Sequence, residues 1–296
     1  IYRAFFAMIN RPLTTSSGEN TSAPYGIARF LLRLIEDHKP EYLGVVFDAG
    51  DSFRTEVYPS YKATREKMPD ELRASLPRIR ELVAAFHDEV VELDGYEADD
   101  VLGTLCRQAE EQQIETIVLT GDTDELQLVS PWVRVLLSYS VQRSTLYDIA
   151  KVRERYGGLG PDAVPDIKAL QGDTSDNIPG VPRIGEKRAI SLLTEFHNLE
   201  GIYQHLEEIK PPSVKASLAE NRERAFENRE LMTIHQDAPV ELDLEASRFG
   251  SYDRKALVDL MTELEFFSII ERLPTLTPGP SPSGRGVTPI DSGVKS

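Results

Sequence analysis

Short apolar runs alternate with helical patterns through the first half of the chain, and this alternation constrains the fold more than any other feature of the sequence. β-Branched and apolar residues dominate residues 42–47, 90–93, 116–120 and 133–137, and these lengths suit buried strands. Between the runs, apolar residues recur every three or four positions, which is typical of amphipathic helices. Strands that alternate with helices predict an α/β fold, with a mostly parallel central sheet flanked by helices.

The character of the sequence changes near residue 148. Beyond it the β-branched runs stop, and helical patterns dominate up to residue 273. We therefore expect an α/β domain over residues 1–149 and an all-helical domain over residues 150–273. Residues 274–296 are rich in proline, glycine, serine and threonine, a composition that predicts a disordered tail or a linker.

Composition argues against several classes of protein. The chain has 49 acidic residues against 33 lysines and arginines, and its net charge of −16 argues against a nucleic-acid partner unless the acids are concentrated at one site. No segment approaches the roughly 20 apolar residues that a membrane span needs. The single cysteine, Cys106, rules out an internal disulfide and indicates a reducing compartment, which we expect to be the cytoplasm.

Acidic residues follow three of the predicted strands closely. In parallel α/β sheets, ligands bind beyond the carboxyl ends of the strands, so these acids are expected to meet at one edge of the sheet. A fourth group lies in a polar turn of the helical half. The acids are Asp48 after the first strand, Glu97, Asp99 and Asp100 after the second, Asp122 and Asp124 after the third, and Asp173 and Asp176 in the polar turn.

Each acidic group has an ordinary explanation when it is taken alone. Acids in the first turn of a helix, or in a tight turn, accept hydrogen bonds from free backbone N–H groups. Taken together, several carboxylates at one edge would repel each other and raise each other's pKa, a penalty that divalent cations remove. Oxygen ligands, and the lack of histidine or cysteine at zinc-binding spacing, favour Mg²⁺ or Mn²⁺, and a group of this size suits two ions.

The motifs around these acids resemble those of a known nuclease family. Residues 95–100 read Gly-Tyr-Glu-Ala-Asp-Asp, residues 119–124 read Leu-Thr-Gly-Asp-Thr-Asp, and residues 172–177 read Gly-Asp-Thr-Ser-Asp-Asn. In their order and spacing, these stretches are similar to the 5′ nuclease family, which includes flap endonucleases and the 5′–3′ exonuclease domain of bacterial DNA polymerase I. The resemblance implies a PIN-like 5′ nuclease domain followed by a helical domain with a helix-hairpin-helix element.

The resemblance also implies an activity. It implies a structure-specific 5′–3′ exonuclease and flap endonuclease that hydrolyses DNA phosphodiester bonds by two-metal-ion catalysis, in primer removal and DNA repair. Two Mg²⁺ or Mn²⁺ ions would be the cofactors. DNA with 5′ flaps, nicks or free 5′ ends would be the substrate. The protein would act as a monomer, and a polymerase part could follow this region in the full-length protein. The implied metal ligands are Asp48, Glu97, Asp99, Asp100, Asp122, Asp124, Asp173 and Asp176.

Basic and aromatic residues within residues 52–69 could form either a solvated loop or a DNA-binding arch. The resemblance favours an arch over about residues 52–88. It implies that Lys62 and Arg65 are catalytic, because they would grip the scissile phosphate and stabilise its transition-state charge. A glycine-rich turn that opens a helix, as at residues 180–185, exposes backbone N–H groups to phosphate. The implied DNA contacts are Arg54, Tyr61 and Lys67 in the arch, and Gly180, Arg183, Gly185, Lys187 and Arg188 in the helix-hairpin-helix.

The chain departs from the family pattern at its first residues. In the family, a further metal-binding aspartate ends a strand shortly before the stretch that here reads Tyr-Arg-Ala-Phe at residues 2–5, so both would lie upstream of Ile1. We therefore expect this chain by itself to cleave DNA weakly or not at all. A catalytically impaired module that binds branched DNA is one alternative, and a related ribonuclease is another, although a helix-hairpin-helix would be unexpected in it.

Overall fold

The fold is described from a computed structural model of the chain, over residues 5–6, 12–86, 90–140, 143–250 and 252–273. Residues 274–296, for which composition predicts a disordered tail or a linker, lie outside the described residues. Within the described ranges, no helix is long and apolar enough to cross a membrane.

The N-terminal half alternates strands and helices, as the apolar runs predict. The strands in the first two runs have two residues each and are shorter than expected, whereas the third strand matches its run. The elements are α1 (Ser22–His38), β1 (Val45–Val46), α2 (Phe53–Val57), α3 (Asp70–Phe86), β2 (Val90–Val91), α4 (Ala98–Glu111), β3 (Thr116–Thr120), β4 (Val133–Ser140) and β5 (Arg143–Tyr147), with a 3-10 helix at Asp124–Leu128.

The strands pair mostly in parallel, which confirms the predicted fold class. β1 pairs with β2 in parallel, and β3 pairs with β4 in parallel. β5 pairs with β4 in the antiparallel direction, and the sequence patterns did not reveal this strand. Its residues, Arg-Ser-Thr-Leu-Tyr, are mostly polar because β5 lies at the edge of its three-stranded sheet, where part of the strand faces solvent.

Helices dominate the C-terminal half, as expected. Side-chain caps start three of them, because Asp148, Asn198 and Asp253 each accept hydrogen bonds from backbone N–H groups of the first turn. The elements are α5 (Ile149–Arg155), α6 (Val164–Gln171), β6 (Gly172–Asp173), β7 (Ile178–Pro179), α7 (Glu186–Phe196), α8 (Leu199–Gln204), α9 (Pro212–Glu220), α10 (Arg222–Met232), α11 (Arg254–Glu263) and α12 (Phe267–Ile270), with 3-10 helices at Pro161–Ala163 and Leu206–Glu208.

Buried apolar residues form two large clusters. The first packs β3, β4 and α4 against helices α5 to α10, around Val118 and Leu170. The second packs α1 and α3 against α11 and α12, around Leu32 and Met261. Each cluster draws residues from both sides of residue 149, so the domain boundary placed there stays a prediction.

A short hairpin holds the polar turn of the helical half. β6 pairs with β7 in the antiparallel direction. Gly172 has a φ of +78°, and a Cβ added there would lie 2.2 Å from the backbone N of Gly180, so only glycine permits this close approach. The buried Asn228 donates hydrogen bonds to backbone carbonyls of α6 and β7, at 3.0 Å each. The hairpin therefore fixes Asp173 and Asp176 relative to α6.

Candidate active site

The ends of β1 and β2 bring the first two acidic groups together. Parallel pairing aligns Val46 with Val91, so the residues that follow both strands leave the sheet at the same edge. Oδ1 of Asp48 accepts a hydrogen bond from the backbone N of Ala98 at 2.9 Å. Since Ala98 is the first residue of α4, Asp48 lies beside the helix start that carries Glu97.

The predicted arch divides into a segment and the helix that follows it. Residues 70–86 form α3, which packs against α1, and residues 87–88 lie outside the described residues. The arch segment is therefore residues 52–69, which begin with the short helix α2. A backbone hydrogen bond of 2.9 Å from Phe53 to Gly95 attaches the base of this segment close to the start of α4.

Glu97 accepts hydrogen bonds from three residues of the arch segment. Its Oε1 accepts from the Ser52 hydroxyl at 3.1 Å and from the Lys62 ammonium at 2.6 Å. Its Oε2 accepts from the Tyr61 hydroxyl at 3.1 Å. The structure thus places the predicted catalytic lysine directly against a predicted metal ligand.

The same part of the arch segment also reaches the polar turn of the helical half. The Tyr61 hydroxyl donates to Oδ2 of Asp176 at 3.2 Å, and the Arg65 guanidinium donates to Oδ1 at 2.5 Å. The backbone N of Lys62 donates to the backbone carbonyl of Asp176 at 2.9 Å. These contacts bring Asp176 close to Glu97, although the two acids come from different halves of the chain.

A lysine that the sequence analysis did not select joins two further acids. Lys168, mostly buried on α6, forms an ion pair with Asp124, and its Nζ lies 3.3 Å from Oδ2 of Asp173. Oδ1 of Asp173 also accepts hydrogen bonds from the backbone N and the hydroxyl of Ser175, at 2.8 and 2.5 Å. The available signal was a lysine within an otherwise apolar stretch of helix, because such a lysine needs a charged partner.

Glu125 is a buried carboxyl group that sequence reasoning missed. It is 2% exposed, and its Oε2 accepts a hydrogen bond from the Thr120 hydroxyl at 2.6 Å. Burial raises the pKa of Glu125 well above its ordinary value, and the charge of Asp99 raises it further. In the sequence, the only signal of its burial was the apolar residue Leu126 directly after it, which by itself does not predict a buried acid.

Burial, with mutual repulsion, reduces the ionisation of two predicted ligands. Burial raises the pKa of Asp99 to about 6, and the charges of Asp122 and two other predicted ligands add to this shift. Burial also raises the pKa of Asp124 to about 7, although Lys168 opposes the rise. Carboxylates that raise each other's pKa in this way lie close together and lack sufficient compensating positive charge.

Burial argues against two predicted roles, which stay predictions. Arg54, predicted as a DNA contact, is 3% exposed, and Asp100, predicted as a metal ligand, is 0% exposed. The two side chains form a bidentate ion pair at 2.5 and 2.8 Å. Burial alone would raise the pKa of Asp100, but Arg54 holds it below its ordinary value. Neither group has the exposed surface that a phosphate or a solvated ion needs.

Burial also argues against the predicted DNA contact of Tyr61. The residue is 6% exposed, and it packs against Ile178, Leu231 and Met232. Burial and the neighbouring charges of Glu97 and other groups raise its pKa, so the hydroxyl stays protonated as a donor. Tyr61 therefore holds acids in place, and its ring is not available to stack on a base.

The remaining predicted DNA contacts are not part of the acidic site. Lys67 is exposed in the arch segment. Arg183, with a φ of +70°, and Arg188 lie at the start of α7, where the guanidinium of Arg188 donates to the Arg183 carbonyl at 2.6 Å. Gly185 and Lys187 are exposed at the same helix start. Gly180 instead packs its backbone against the end of α6.

The acids fit divalent cations in their chemistry. Among the described residues, no group of three or more histidine, cysteine, aspartate or glutamate side chains is arranged to hold a metal ion. Lys62, Arg65 and Lys168 form ion pairs with carboxylates of the site. The oxygen donors nevertheless match the ligands that Mg²⁺ and Mn²⁺ prefer. Burial and, to a smaller extent, neighbouring carboxylates raise the pKa values of Asp99 and Asp124, and a bound cation would favour the charged form of both.

Two solved structures share this fold. A structure of T5 5′-exonuclease with bound divalent zinc ions aligns with a TM-score of 0.65 and 21% identity, over 89% of this chain and 95% of that chain. The catalytic core of Rad2 in complex with a DNA substrate aligns with a TM-score of 0.59 and 16% identity, over 91% of this chain and 88% of that chain. At these identities the likeness shows a common fold.

Curated relatives share more of the sequence. DNA polymerase I of Chloroflexus aurantiacus is 46% identical over 95% of this chain and 30% of that protein. DNA polymerase I of Bacillus subtilis is 39% identical over 92% of this chain and 31% of that protein. The chain thus spans less than a third of the length of these relatives.

Two family profiles match consecutive parts of the chain. The profile described as "5'-3' exonuclease, N-terminal resolvase-like domain" matches residues 1–157. The profile described as "5'-3' exonuclease, C-terminal SAM fold" matches residues 159–255. These matches confirm the resemblance that the acidic motifs indicate, and the chain belongs to the 5′–3′ exonuclease family of metal-dependent nucleases.

Proposed function

We propose that this chain is a structure-specific 5′–3′ exonuclease and flap endonuclease that hydrolyses DNA phosphodiester bonds in primer removal and DNA repair. One observation carries the proposal most directly. Lys62 and Arg65 of the arch segment pair with Glu97 and Asp176, so phosphate-binding cations and metal-binding acids from distant parts of the chain share one site. Such a site can hold a phosphodiester between positive side chains and divalent cations.

Seven exposed or partly exposed acids are our candidates for holding two Mg²⁺ ions. When bound, the ions would supply an activated water and stabilise the charge on both the attacking and the leaving oxygen. The protein's own contribution is to keep the carboxylates close together, through Lys168 on one side and Tyr61 on the other. The candidates are Asp48, Glu97, Asp99, Asp122, Asp124, Asp173 and Asp176.

Lys62 and Arg65 are proposed to bind the scissile phosphate. Their side chains are 27% and 49% exposed, so both can turn from a carboxylate to a phosphate without breaking the core. The guanidinium of Arg65 can bind two phosphate oxygens at once, whereas the ammonium of Lys62 acts as a point charge. Together they would stabilise the negative charge that develops on the phosphate during hydrolysis.

The start of α7 is proposed as the duplex anchor. The exposed Arg183, Lys187 and Arg188 surround a helix N-terminus with free N–H groups, which is a favourable place for a backbone phosphate. Contacts of this kind position DNA without reading its sequence. Exposed Lys67 would add a phosphate contact from the arch segment.

The proposal also covers the compartment, the oligomeric state and the DNA substrate of the protein. The single cysteine fits the cytoplasm, and we infer a monomer that binds DNA with 5′ flaps, nicks or free 5′ ends. The relatives named DNA polymerase I are about three times longer than the region they share with this chain, which supports a polymerase part in the same protein.

Parallel cleavage assays test the proposal. The chain is incubated with flap DNA, plain duplex and single-stranded RNA, in Mg²⁺, in Mn²⁺ and with a chelator. The variants are Lys62→Ala and, as a matched control, Lys255→Ala, whose ammonium pairs with Asp259 on the exposed side of α11. We expect this chain to cleave flap DNA weakly and only with a divalent cation, and we expect Lys62→Ala to lose that cleavage and Lys255→Ala to keep it. Flap binding without product would indicate a branched-DNA-binding module, and preferential cleavage of RNA would indicate a ribonuclease.

A further inference from the structure

A buried ion pair lies directly beneath the candidate active site. We propose that Arg54 is a positioning residue, which holds Glu97 in place through Asp100 and fixes the base of the arch segment. This inference rests on the proposed nuclease function and deepens it, because it assigns to the pair a role in catalysis that neither residue performs by touching DNA or metal.

The guanidinium of Arg54 joins three segments of the chain. It makes two parallel hydrogen bonds to Asp100 at the start of α4, at 2.5 and 2.8 Å. It also donates to the backbone carbonyls of Leu231 and Thr233, at 2.9 and 2.8 Å, where α10 ends. The backbone N of His235 donates to the same carboxylate at 2.9 Å. α2, α4 and the end of α10 therefore meet at one side chain.

Asp100 connects Arg54 to Glu97. Its Oδ2 accepts a hydrogen bond from the backbone N of Glu97 at 3.2 Å. The Arg54 guanidinium also lies 3.9 Å from the carboxylate of Glu97. The carboxylate of Glu97 in turn accepts hydrogen bonds from the side chains of Lys62 and Tyr61. A shift of Arg54 would thus move the carboxylate on which the arch segment rests.

The geometry distinguishes this role from that of a general stabilising charge. A lysine at position 54 would keep the positive charge but could not make two parallel hydrogen bonds to Asp100 and two more to backbone carbonyls. A displacement of about 1 Å at a catalytic group can slow a reaction roughly 10²-fold. Turnover should therefore depend more on the arrangement of the guanidinium's hydrogen-bond donors than on its positive charge.

The test compares two changes at the pair with a matched arginine elsewhere. Arg54→Lys removes the fork, and the double variant Arg54→Met/Asp100→Asn removes both charges, so that no carboxylate is left buried without a partner. The control is Arg229→Lys, because Arg229 also pairs with two acids, Glu200 and Asp166, away from the arch segment. Each protein is assayed for kcat and KM on flap DNA, for calorimetric Mn²⁺ affinity and for thermal unfolding.

We expect both changes at the pair to lower kcat about tenfold to a hundredfold and to weaken Mn²⁺ binding, with KM little changed. The control should keep kcat and Mn²⁺ affinity even if its unfolding temperature falls. If Arg54→Lys only unfolds earlier and otherwise behaves as the control does, or if the double variant regains wild-type kcat, the positioning role is overturned. If the unmodified chain neither cleaves DNA nor binds Mn²⁺, the proposed function fails and the inference fails with it.

Discussion

Replacing Asp99 by asparagine is expected to stabilise the metal-free protein while lowering its nuclease activity. The amide has nearly the same shape as the carboxylate but no charge, so it removes both the burial penalty and the repulsion from Asp122. These effects raise the pKa of Asp99 from 3.8 to about 6. Since a tenfold change in proton affinity corresponds to about 1.4 kcal/mol, the charged carboxylate destabilises the fold by about 3 kcal/mol at most.

The effect of this change should depend on pH in a defined direction. The pKa of Asp99 is raised in the folded protein, so the unfolded chain releases its proton first as pH increases. The contribution of Asp99 to the stability of the wild-type protein therefore becomes less favourable from about pH 4 upwards, and its full penalty is present above about pH 6. The gain from Asp99→Asn should accordingly be largest near neutral and alkaline pH and should vanish in acid.

Urea unfolding followed by circular dichroism measures the free energy of unfolding for this comparison. It is run in acid and at about pH 8, with a chelator and with saturating Mg²⁺. Asp237→Asn is the control, because the Asp237 side chain is 87% exposed. Mg²⁺ should remove most of the difference, since a bound cation relieves the same repulsion. If Asp99→Asn and the control have equal stability at alkaline pH with chelator, the assigned electrostatic penalty does not exist.

Three further changes test other parts of the site. Lys62→Ala is expected to lower kcat on flap DNA by about 10²–10³-fold with little change in duplex affinity, and a loss of affinity alone in a gel-shift titration would contradict its catalytic role. Lys168→Met should lower the free energy of unfolding by about 3–5 kcal/mol in urea, because Asp124 stays buried without its ammonium, and an unchanged value would show that the pair is dispensable. Gly180→Ala should destabilise the fold by about 1–3 kcal/mol, since its Cβ would lie 2.2 Å from a carbonyl carbon at the end of α6. Gly44→Ala, with nothing within 4 Å, is its control, and equal melting temperatures would refute the steric argument.

Local patterns were sufficient to predict β1 to β4 and the acids that follow three of these strands. Asp48 and Asp122 each come soon after an apolar run, and the parallel pairing of β1 with β2 and of β3 with β4 follows from the alternation of strands with helices. The helices of the C-terminal half could also be predicted from the sequence, because their amphipathic periodicity does not depend on distant contacts. The apolar pattern did not predict β5, because the residues of this strand are mostly polar.

Burial of charged residues could not be predicted in the same way. Arg54 and Lys62 stand in one basic segment and look equivalent in sequence, yet one is 3% exposed and the other has a side chain that is 27% exposed. The difference arises because the end of α10 covers Arg54 and provides two backbone carbonyls for it. Lys168 was missed for a similar reason, since its partners Asp124 and Asp173 come from separate parts of the chain.

The ion pairs of Lys62 and Arg65 bear on how DNA binding would respond to ionic strength. A cation on an open surface that meets a phosphate releases a condensed counterion from DNA, and affinity then falls steeply as salt increases. Under the proposed function, each cation would leave a carboxylate behind when it turned to DNA, and that carboxylate would attract cations from solution. Uptake of ions at the acids offsets release from DNA. The arch segment would therefore strengthen DNA binding with little added sensitivity to monovalent salt, while divalent cations would favour the exchange.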